Sequence, residues 1–409
     1  MKTQREYPKI MVTRKAQAAL ECGHPWVYDV ELLTPIDGIP NGSFVDVMSD
    51  KSRYLGTGFI SEKSKIRIRI ISRNANDSFD ETFFERRIRY AWDYRKTVMA
   101  EDIDACRVIF GEADGFPGLT VDRYGDILVT QTLSVGIEKL KPMLFPLIYK
   151  VLTQDGVKIS GIFERNDVAI RELEGLEQNK GWFALEDVTE PDSAATVICE
   201  NGIEYEVDVE NGQKTGFFLD QKYNRCAVAR LSRGKRVLDC FTHTGSFALN
   251  ATLGGAELVC AVDVSESAIE MAKKNAARNG LDGKMEFLVA DVLDLLPKLE
   301  KAGEKPYDFI ILDPPAFTKS RKNIESALRG YKEINFRAMK LLPRGGYLAT
   351  CSCSHFVNDE LFRKMLKSAA HDASVELRQI EARQQSPDHP ILWNVPETDY
   401  LKFYIFQVI

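Results

Sequence analysis

The sequence has no run of about 18 consecutive apolar residues, which excludes a helix built to cross a membrane. Its opening, MKTQREYPKI, lacks the apolar stretch of a secretory leader, so the chain is expected to stay in the cytoplasm. Cysteine pairs spaced CxxC are also missing. Cys22, Cys106, Cys199, Cys226, Cys240, Cys260, Cys351 and Cys353 are scattered, which argues against both a disulfide framework and a zinc centre. No metal is expected. The glycine triplet G-x-G-x-x-G is absent too, and its absence bears on the choice of cofactor.

What is there points to a globular chain of two or three domains: 409 residues, 44% hydrophobic and 28% charged. The net charge is −6, unevenly spread. Residues 1–75 hold twelve Lys/Arg against eight Asp/Glu, or +4, which leaves −10 for residues 76–409. A phosphate-binding surface would therefore be local and N-terminal.

Short apolar runs broken by Gly, Pro and Asn fill residues 10 to about 72, as in GHPWVY (23–28), GIPNGSFVDVM (38–48) and RYLGTGFI (53–60). They predict a small β domain over residues 1–75. Its last strand, KSKIRIRII, alternates Lys63, Lys65, Arg67 and Arg69 with isoleucines, so a period of two puts four cations on one face. That row either grips RNA phosphates or is a solvated face or charged edge that blocks strand addition. Residues 76–100 read as a connector, with Phe83, Phe84, Ile88, Ala91 and Trp92 at helical spacing. Strand-like and helical stretches over 101–188 predict a central α+β domain.

Residues 189–409 change rhythm. A hairpin turning at Asn201-Gly202 precedes five apolar runs separated by helical segments: KRVLDCF, AELVCAVDV, KMEFLVAD, YDFIILDPP and GGYLATCSCS. Near-continuous apolarity marks strands covered on both faces, hence a doubly wound parallel sheet of the α/β class. Two final runs, VELRQIEAR and DYLKFYIFQVI, are expected to pair as an antiparallel edge. In such sheets ligands lie at the carboxyl ends of the strands, where Asp239, Asp263, Asp291 and Asp313 each close an apolar run. Singly, an Asp there is as often a helix cap; together the four outline a crevice.

The first turn, DCFTHTGSFAL, carries one glycine, Gly245, and so offers no pyrophosphate nest. S-adenosylmethionine has an adenosine without phosphates and suits such a turn. Asp263 would hold the ribose and Asp291 would reach the adenine edge. In ILDPPAF, two prolines stiffen the loop after Asp313, which can then hold a flat base against the donor methyl. In ATCSCSH, an extended chain turns Cys351, Cys353 and His355 to one face. A thiolate added to carbon 6 of a pyrimidine makes carbon 5 nucleophilic enough to take a methyl group, so a cysteine facing the DPP loop is what that chemistry needs. The alternative is two small buried hydrophobes.

With these motifs in place, the sequence resembles the ribosomal RNA large-subunit methyltransferase I family over nearly its whole length. The resemblance rests on GHPWVY with the basic strand, GEADGFPGLTVDRYGD, NGQKTGFFLDQKYNR, LDCFTHTGSF, AVDVSESAIE, ILDPPAF and TCSCS. It implies a PUA-like RNA-binding domain, a central domain and a Rossmann-like methyltransferase domain that makes 5-methylcytosine in large-subunit (23S) rRNA. It also implies that Gln213, Lys214 and Phe218 approach the cofactor. Asp239, Phe241 and Gly245 would form the first cofactor loop, Asp263 would hold the ribose and Asp291 the adenine side. Asp313 would take the methionine end or the target base. Cys351, after Thr350, would be the nucleophile, with Cys353 as the fallback. Many 5-methylcytosine enzymes carry a second cysteine where Pro314 and Pro315 stand here, so the carbon-5 proton acceptor stays open among Cys353, His355, Asp313 through water, and water itself. DHP (388–390) resembles a family segment and is read as either a loop held by Pro390 or a substrate contact.

Three other readings compete: a guanine-N7 methyltransferase, which has no use for Cys351; an RNA-binding assembly factor with a disused crevice; and a nicotinamide dehydrogenase, weakened by the missing glycine triplet. The oligomeric state, a homodimer included, is left open.

Overall fold

The computed structural model describes residues 7–303, 305–318 and 320–409. Most of the opening segment read for a leader, residues 1–6, therefore lies outside the described residues. The chain forms two compact units: residues 1–198, 207–219 and 387–398 in the first, and residues 199–206, 220–386 and 399–409 in the second. This differs from the expected division at residues 75, 100 and 188. The small β domain, the connector and the central domain share one unit, and a piece of the C-terminal stretch joins them.

In the first unit, strands Lys9–Met11, Phe44–Met48, Tyr54–Ile60, Ile66–Ser72 and Trp26–Tyr28 form a five-stranded sheet in that spatial order. Its core gathers Val27, Val45, Val47, Ile60 and Ile68. A second five-stranded sheet runs Lys180–Phe183, Gly161–Arg165, Ile127–Thr132, Leu119–Tyr124 and Ala105–Phe110. The helix Val135–Gln154 meets the first sheet closely: a Cβ on Gly136 would lie 2.0 Å from the Phe59 ring, so only glycine fits. The helix Glu81–Met99 starts at an Asp80 cap that accepts from the amide of Phe83, and it buries the five predicted apolar residues.

Arg95 on that helix locks the unit together. Its side chain is fully buried and forms a bidentate pair with Asp114 (2.5 and 2.8 Å), and Nη2 also donates to the carbonyl of Asp388 (2.8 Å). Asp388 accepts from the amide of Arg107 (2.8 Å) and pairs with His389 Nδ1 (2.9 Å), while Tyr94 donates to the Pro387 carbonyl (3.0 Å). The DHP segment is thus tied into the unit through Asp388 and the Pro387 carbonyl, rather than through Pro390.

In the second unit, a seven-stranded sheet contains β1 (Arg236–Cys240), β2 (Leu258–Asp263), β3 (Met285–Val289), β4 (Phe309–Leu312), β5 (Tyr347–Ser352), β6 (Leu377–Arg383) and β7 (Lys402–Val408). The spatial order is β3-β2-β1-β4-β5-β7-β6, with β3 to β5 parallel and the last two antiparallel. All five predicted apolar runs are strands, and the last two pair as expected, with β7 inserted between β5 and β6. β3 departs from double-sided burial: it is an edge, with Leu288 39% and Val289 49% exposed. The order reverses between β1 and β4, which places the ends of Asp239 and Asp313 strands at the switch point. The preceding hairpin turns at Asn201 (φ 55°) and Gly202 (φ 77°), the left-handed pair that a type I′ turn requires.

Removing the Arg95 cation would leave Asp114 buried without its partner. Arg95→Ala is expected to cost roughly 3 to 5 kcal/mol, read from the urea midpoint, and a loss below about 1 kcal/mol would contradict this account.

Candidate active site

Three carboxylates meet at the carboxyl edge of the second unit's sheet. Asp239, near the end of β1, is fully buried. One of its oxygens accepts from Thr242 Oγ1 (2.6 Å) and from the amide of Ala248 (2.9 Å), in the first turn of the helix Ser246–Leu253. Its other oxygen, Oδ1, has no hydrogen-bond partner. Burial, aided by the negative charges of Asp313 and Asp263, pushes the Asp239 carboxyl up to about 7. Asp263 closes β2 and accepts from the amides of His243 and Ser265 (both 2.9 Å). Asp313 follows β4 and accepts from Gln221 Nε2 (3.1 Å). Asp291 is exposed and caps the helix Val292–Ala302 through the Leu293 amide (2.8 Å).

The loop after β1 is strained in a way that aims its backbone. Phe241 (φ 65°) and His243 (φ 51°) are both left-handed, which costs a non-glycine residue about 1 to 3 kcal/mol. Gly245 (φ 83°) ends the loop, and a Cβ there would lie 3.0 Å from Ala272. Two apolar side chains stand beside the carboxylates in the open: Val264, 71% exposed directly after Asp263, and Leu293, 49% exposed two residues after Asp291. β2 and β3 are neighbours, with Asp263 opposite the 49%-exposed Val289. Sequence reading missed both residues, although an apolar residue that continues past a strand-ending Asp was a visible signal.

Cys351 lies on β5, beside β4, and is fully buried. Its thiol hydrogen-bonds with Asp313 and Gln221, and burial together with the Asp313 charge pushes it well above the ordinary thiol range. β5 ends at Ser352, so the expected row of three on one extended face is cut short. Cys353 lies past the strand and is partly exposed, and His355 is exposed and packs its ring edge-on to Phe356. Asn224 Nδ2 supports Gln221 Oε1 (2.6 Å), and Arg383 Nε donates to Asn224 Oδ1 (3.1 Å). Lys402 is 6% exposed, donates to the carbonyls of Ser354 and Tyr400 (both 2.8 Å), and is pushed down to about 8 by burial against the charge of Cys353. Gln221, Asn224 and Lys402 were not singled out. Gln221 and Asn224 do sit three apart in a quoted motif, and Lys402 interrupts an apolar strand.

The other expected site residues lie in the first unit. Gln213 and Lys214 are exposed, and the Lys214 ammonium sits 4.4 Å from the centre of the Phe218 ring. Their segment is held by Thr215, which donates to Asp122 (2.6 Å), and by the Phe217 amide, which donates to Tyr124 Oη (3.2 Å). The basic row does not form a single solvent face. Lys63 and Lys65 precede the strand and are exposed. Arg67 donates to the carbonyls of Ser61 (2.9 Å) and Glu62. Arg69 is buried in an ion pair with Glu174 (2.9 Å). The alternation correctly separated charged from apolar positions, but the helical turn carrying Glu174 covers one end of the charged face.

A family model described as S-adenosylmethionine-dependent methyltransferase matches residues 180–406, and one described as PUA-like domain matches residues 10–73. The ribosomal RNA large subunit methyltransferase I of Klebsiella pneumoniae (strain 342) is 37% identical over 405 residues, covering 98% of this chain and 99% of the relative. That of Aeromonas salmonicida (strain A449) is 39% identical over 396 residues, covering 96% and 97%. Among solved structures, a Streptococcus mutans protein described as a SAM-dependent methyltransferase superposes with a TM-score of 0.81 at 23% identity, covering 98% of this chain and 100% of the other. A second, described as a methyltransferase complexed with SAH, reaches 0.83 at 23% identity with the same coverage.

S-adenosylmethionine is the cofactor, and the second unit's residues fit it. The sulfonium and ammonium are cations, and the crevice presents Asp239, Asp263 and Asp313 with a buried, unpartnered Oδ1 on Asp239. In the empty protein the folded chain keeps an Asp239 proton that the unfolded chain has already released, so this group lowers stability as pH rises from about 4 to about 7. Cofactor binding favours the ionised form and has the opposite pH dependence. Affinity for S-adenosylmethionine, measured by calorimetry, is expected to rise about tenfold from about pH 6 to about pH 8, with proton release. Asp239→Asn should flatten the profile; an unchanged slope in that variant would assign it to another group.

Proposed function

We propose, for a chain that belongs to the ribosomal RNA large-subunit methyltransferase I family and uses S-adenosylmethionine, that it methylates carbon 5 of a cytidine in large-subunit rRNA through a covalent bond to Cys351. The observation that carries this reading is the Cys351 thiol hydrogen-bonded to the Asp313 carboxylate, on neighbouring strand ends beside the cofactor acids. A nucleophile in hydrogen-bond reach of a base is the arrangement that covalent catalysis requires.

When bound, S-adenosylmethionine supplies an electrophilic methyl group. The remaining chemistry falls to this chain. Asp313 accepts the Cys351 proton, which is needed because burial disfavours a standing thiolate. The thiolate adds to carbon 6 of the base, and carbon 5 becomes nucleophilic and takes the methyl group. Loss of the carbon-5 proton then breaks the carbon–sulfur bond and expels the Cys351 thiolate, which takes its proton back from Asp313. Gln221, fixed by Asn224, orients Asp313. Cys353, within electrostatic reach of Lys402, is the group assigned to accept the carbon-5 proton. RNA backbone contacts fall to Lys63 and Lys65, the members of the basic row open to solvent.

Mapping modified cytidines in large-subunit rRNA from cells with and without this protein should show the loss of one 5-methylcytidine. Cys351→Ala should lower the rate by roughly three orders of magnitude or more with cofactor affinity kept within about twofold, while Cys353→Ala keeps part of the rate. A fully active Cys351→Ala enzyme would defeat the covalent scheme and return a reaction that needs no thiolate.

A further inference from the structure

The first unit holds a second feature that the methyl-transfer site leaves unused. A pocket of about 230 Å³ opens beside the helix Glu81–Met99, lined among others by Arg73, Arg87, Tyr90 and Leu392. Arg87 and Tyr90 are three residues apart on that helix and so share a face. Tyr90 is 65% exposed, and Trp393, next in sequence to the pocket's Leu392, is 96% exposed. The segment carrying Trp393 is built rather than loose: the Leu392 amide donates to Thr398 Oγ1 (2.9 Å), and Thr398 Oγ1 donates to the Val395 carbonyl (2.7 Å).

Two arginines and two acids line the pocket. Arg73 donates only to the carbonyls of Leu20, Gly23 and His24, and Arg87 only to that of Gly115. Neither forms an ion pair within 4 Å among the described residues, although the Asp77 carboxylate is close enough to Arg87 to favour its charged form. Of the two acids lining the pocket, Asp114 is paired with Arg95, while Glu112 accepts from the neutral Trp26 Nε1 (2.9 Å) and keeps its charge. Burial, aided by the neighbouring Arg86 charge and only partly offset by Asp77, pushes the Arg87 guanidinium down to about 10. The volume is below the roughly 300 to 1,000 Å³ of pockets for drug-sized ligands, so it suits one phosphate or one base edge.

We propose that this pocket, its exposed Tyr90 and the adjoining Trp393 hold an unpaired stretch of an RNA strand, with a phosphate on Arg73 and Arg87 and bases stacked on Tyr90 and Trp393. Open aromatic faces with adjacent arginines are how proteins seize single-stranded RNA, whose unstacked bases supply the planar partner. The proposal deepens the rRNA reading above and rests on it. Trp, Tyr and Arg also anchor protein interfaces, which makes a protein partner the competing outcome.

The test uses the full chain and fluorescein-labelled oligouridylate, single-stranded or paired with oligoadenylate. Trp393→Ala and Tyr90→Ala should each weaken single-strand binding by about 5- to 150-fold, with little change for the duplex, and Trp393→Phe should restore it. Arg73→Gln and Arg87→Gln should each reduce the salt-dependence slope by about one. Trp393 touches almost nothing, so its loss cannot be blamed on misfolding. If wild-type chain methylates rRNA while both aromatic variants bind oligouridylate as tightly as it does, this proposal alone fails; loss of binding to a ribosomal protein instead would also overturn it. A wild-type chain that binds no RNA would defeat the underlying reading as well.

Discussion

The second unit is organised around negative charge that the fold forces together. Doubly wound topology brings the ends of β1, β2 and β4 to one edge, and each carries or precedes an aspartate. Backbone amides from the next loops and helices quiet part of that charge: Ala248 for Asp239, His243 and Ser265 for Asp263. The remainder stays as a raised carboxyl on Asp239 and one oxygen without a donor. A site built this way selects its ligand by charge before shape. An anionic dinucleotide would add repulsion to repulsion, whereas a sulfonium with an ammonium removes it.

The same acids set the terms for the thiol. Cys351 shares Asp313 with the cofactor crevice, so the carboxylate that draws a cation also holds back ionisation of the sulfur. Binding of a cationic cofactor relaxes that opposition, because part of the negative field is then neutralised. The thiol and the cofactor crevice are coupled through one side chain, Asp313. The left-handed Phe241 and His243 belong to the same design: strain in the first loop holds amides where the acids need donors.

Much of the second unit was legible because its signals are local. An apolar run closed by Asp means a covered strand with a polar end, and five such runs in series leave little choice of topology. The hairpin at Asn201-Gly202 was equally plain, since few residue pairs accept two left-handed dihedrals. What escaped reading was set by partners distant in sequence. Alternation assigned Arg69 to a charged face but could not tell that Glu174 would cover it. Gln221 gains meaning only from Asp313, 92 residues on, and Lys402 only from the loop after β5. The DHP segment resembled a family feature, but nothing local marked its carbonyl as the acceptor for a buried arginine in another part of the chain.

That arginine has a consequence for how the protein is made. Arg95 and Asp114 leave the ribosome early, whereas Asp388, which completes their cluster, lies 293 residues after Arg95. At about 5 to 20 residues per second, synthesis of that interval takes roughly 15 to 60 s, during which a buried cation and its acid wait for their last acceptor. The first unit therefore reaches its final form only as translation closes. Neither unit can be cut out as one unbroken stretch of chain, so a gene fragment that ends before residue 387 yields neither half intact.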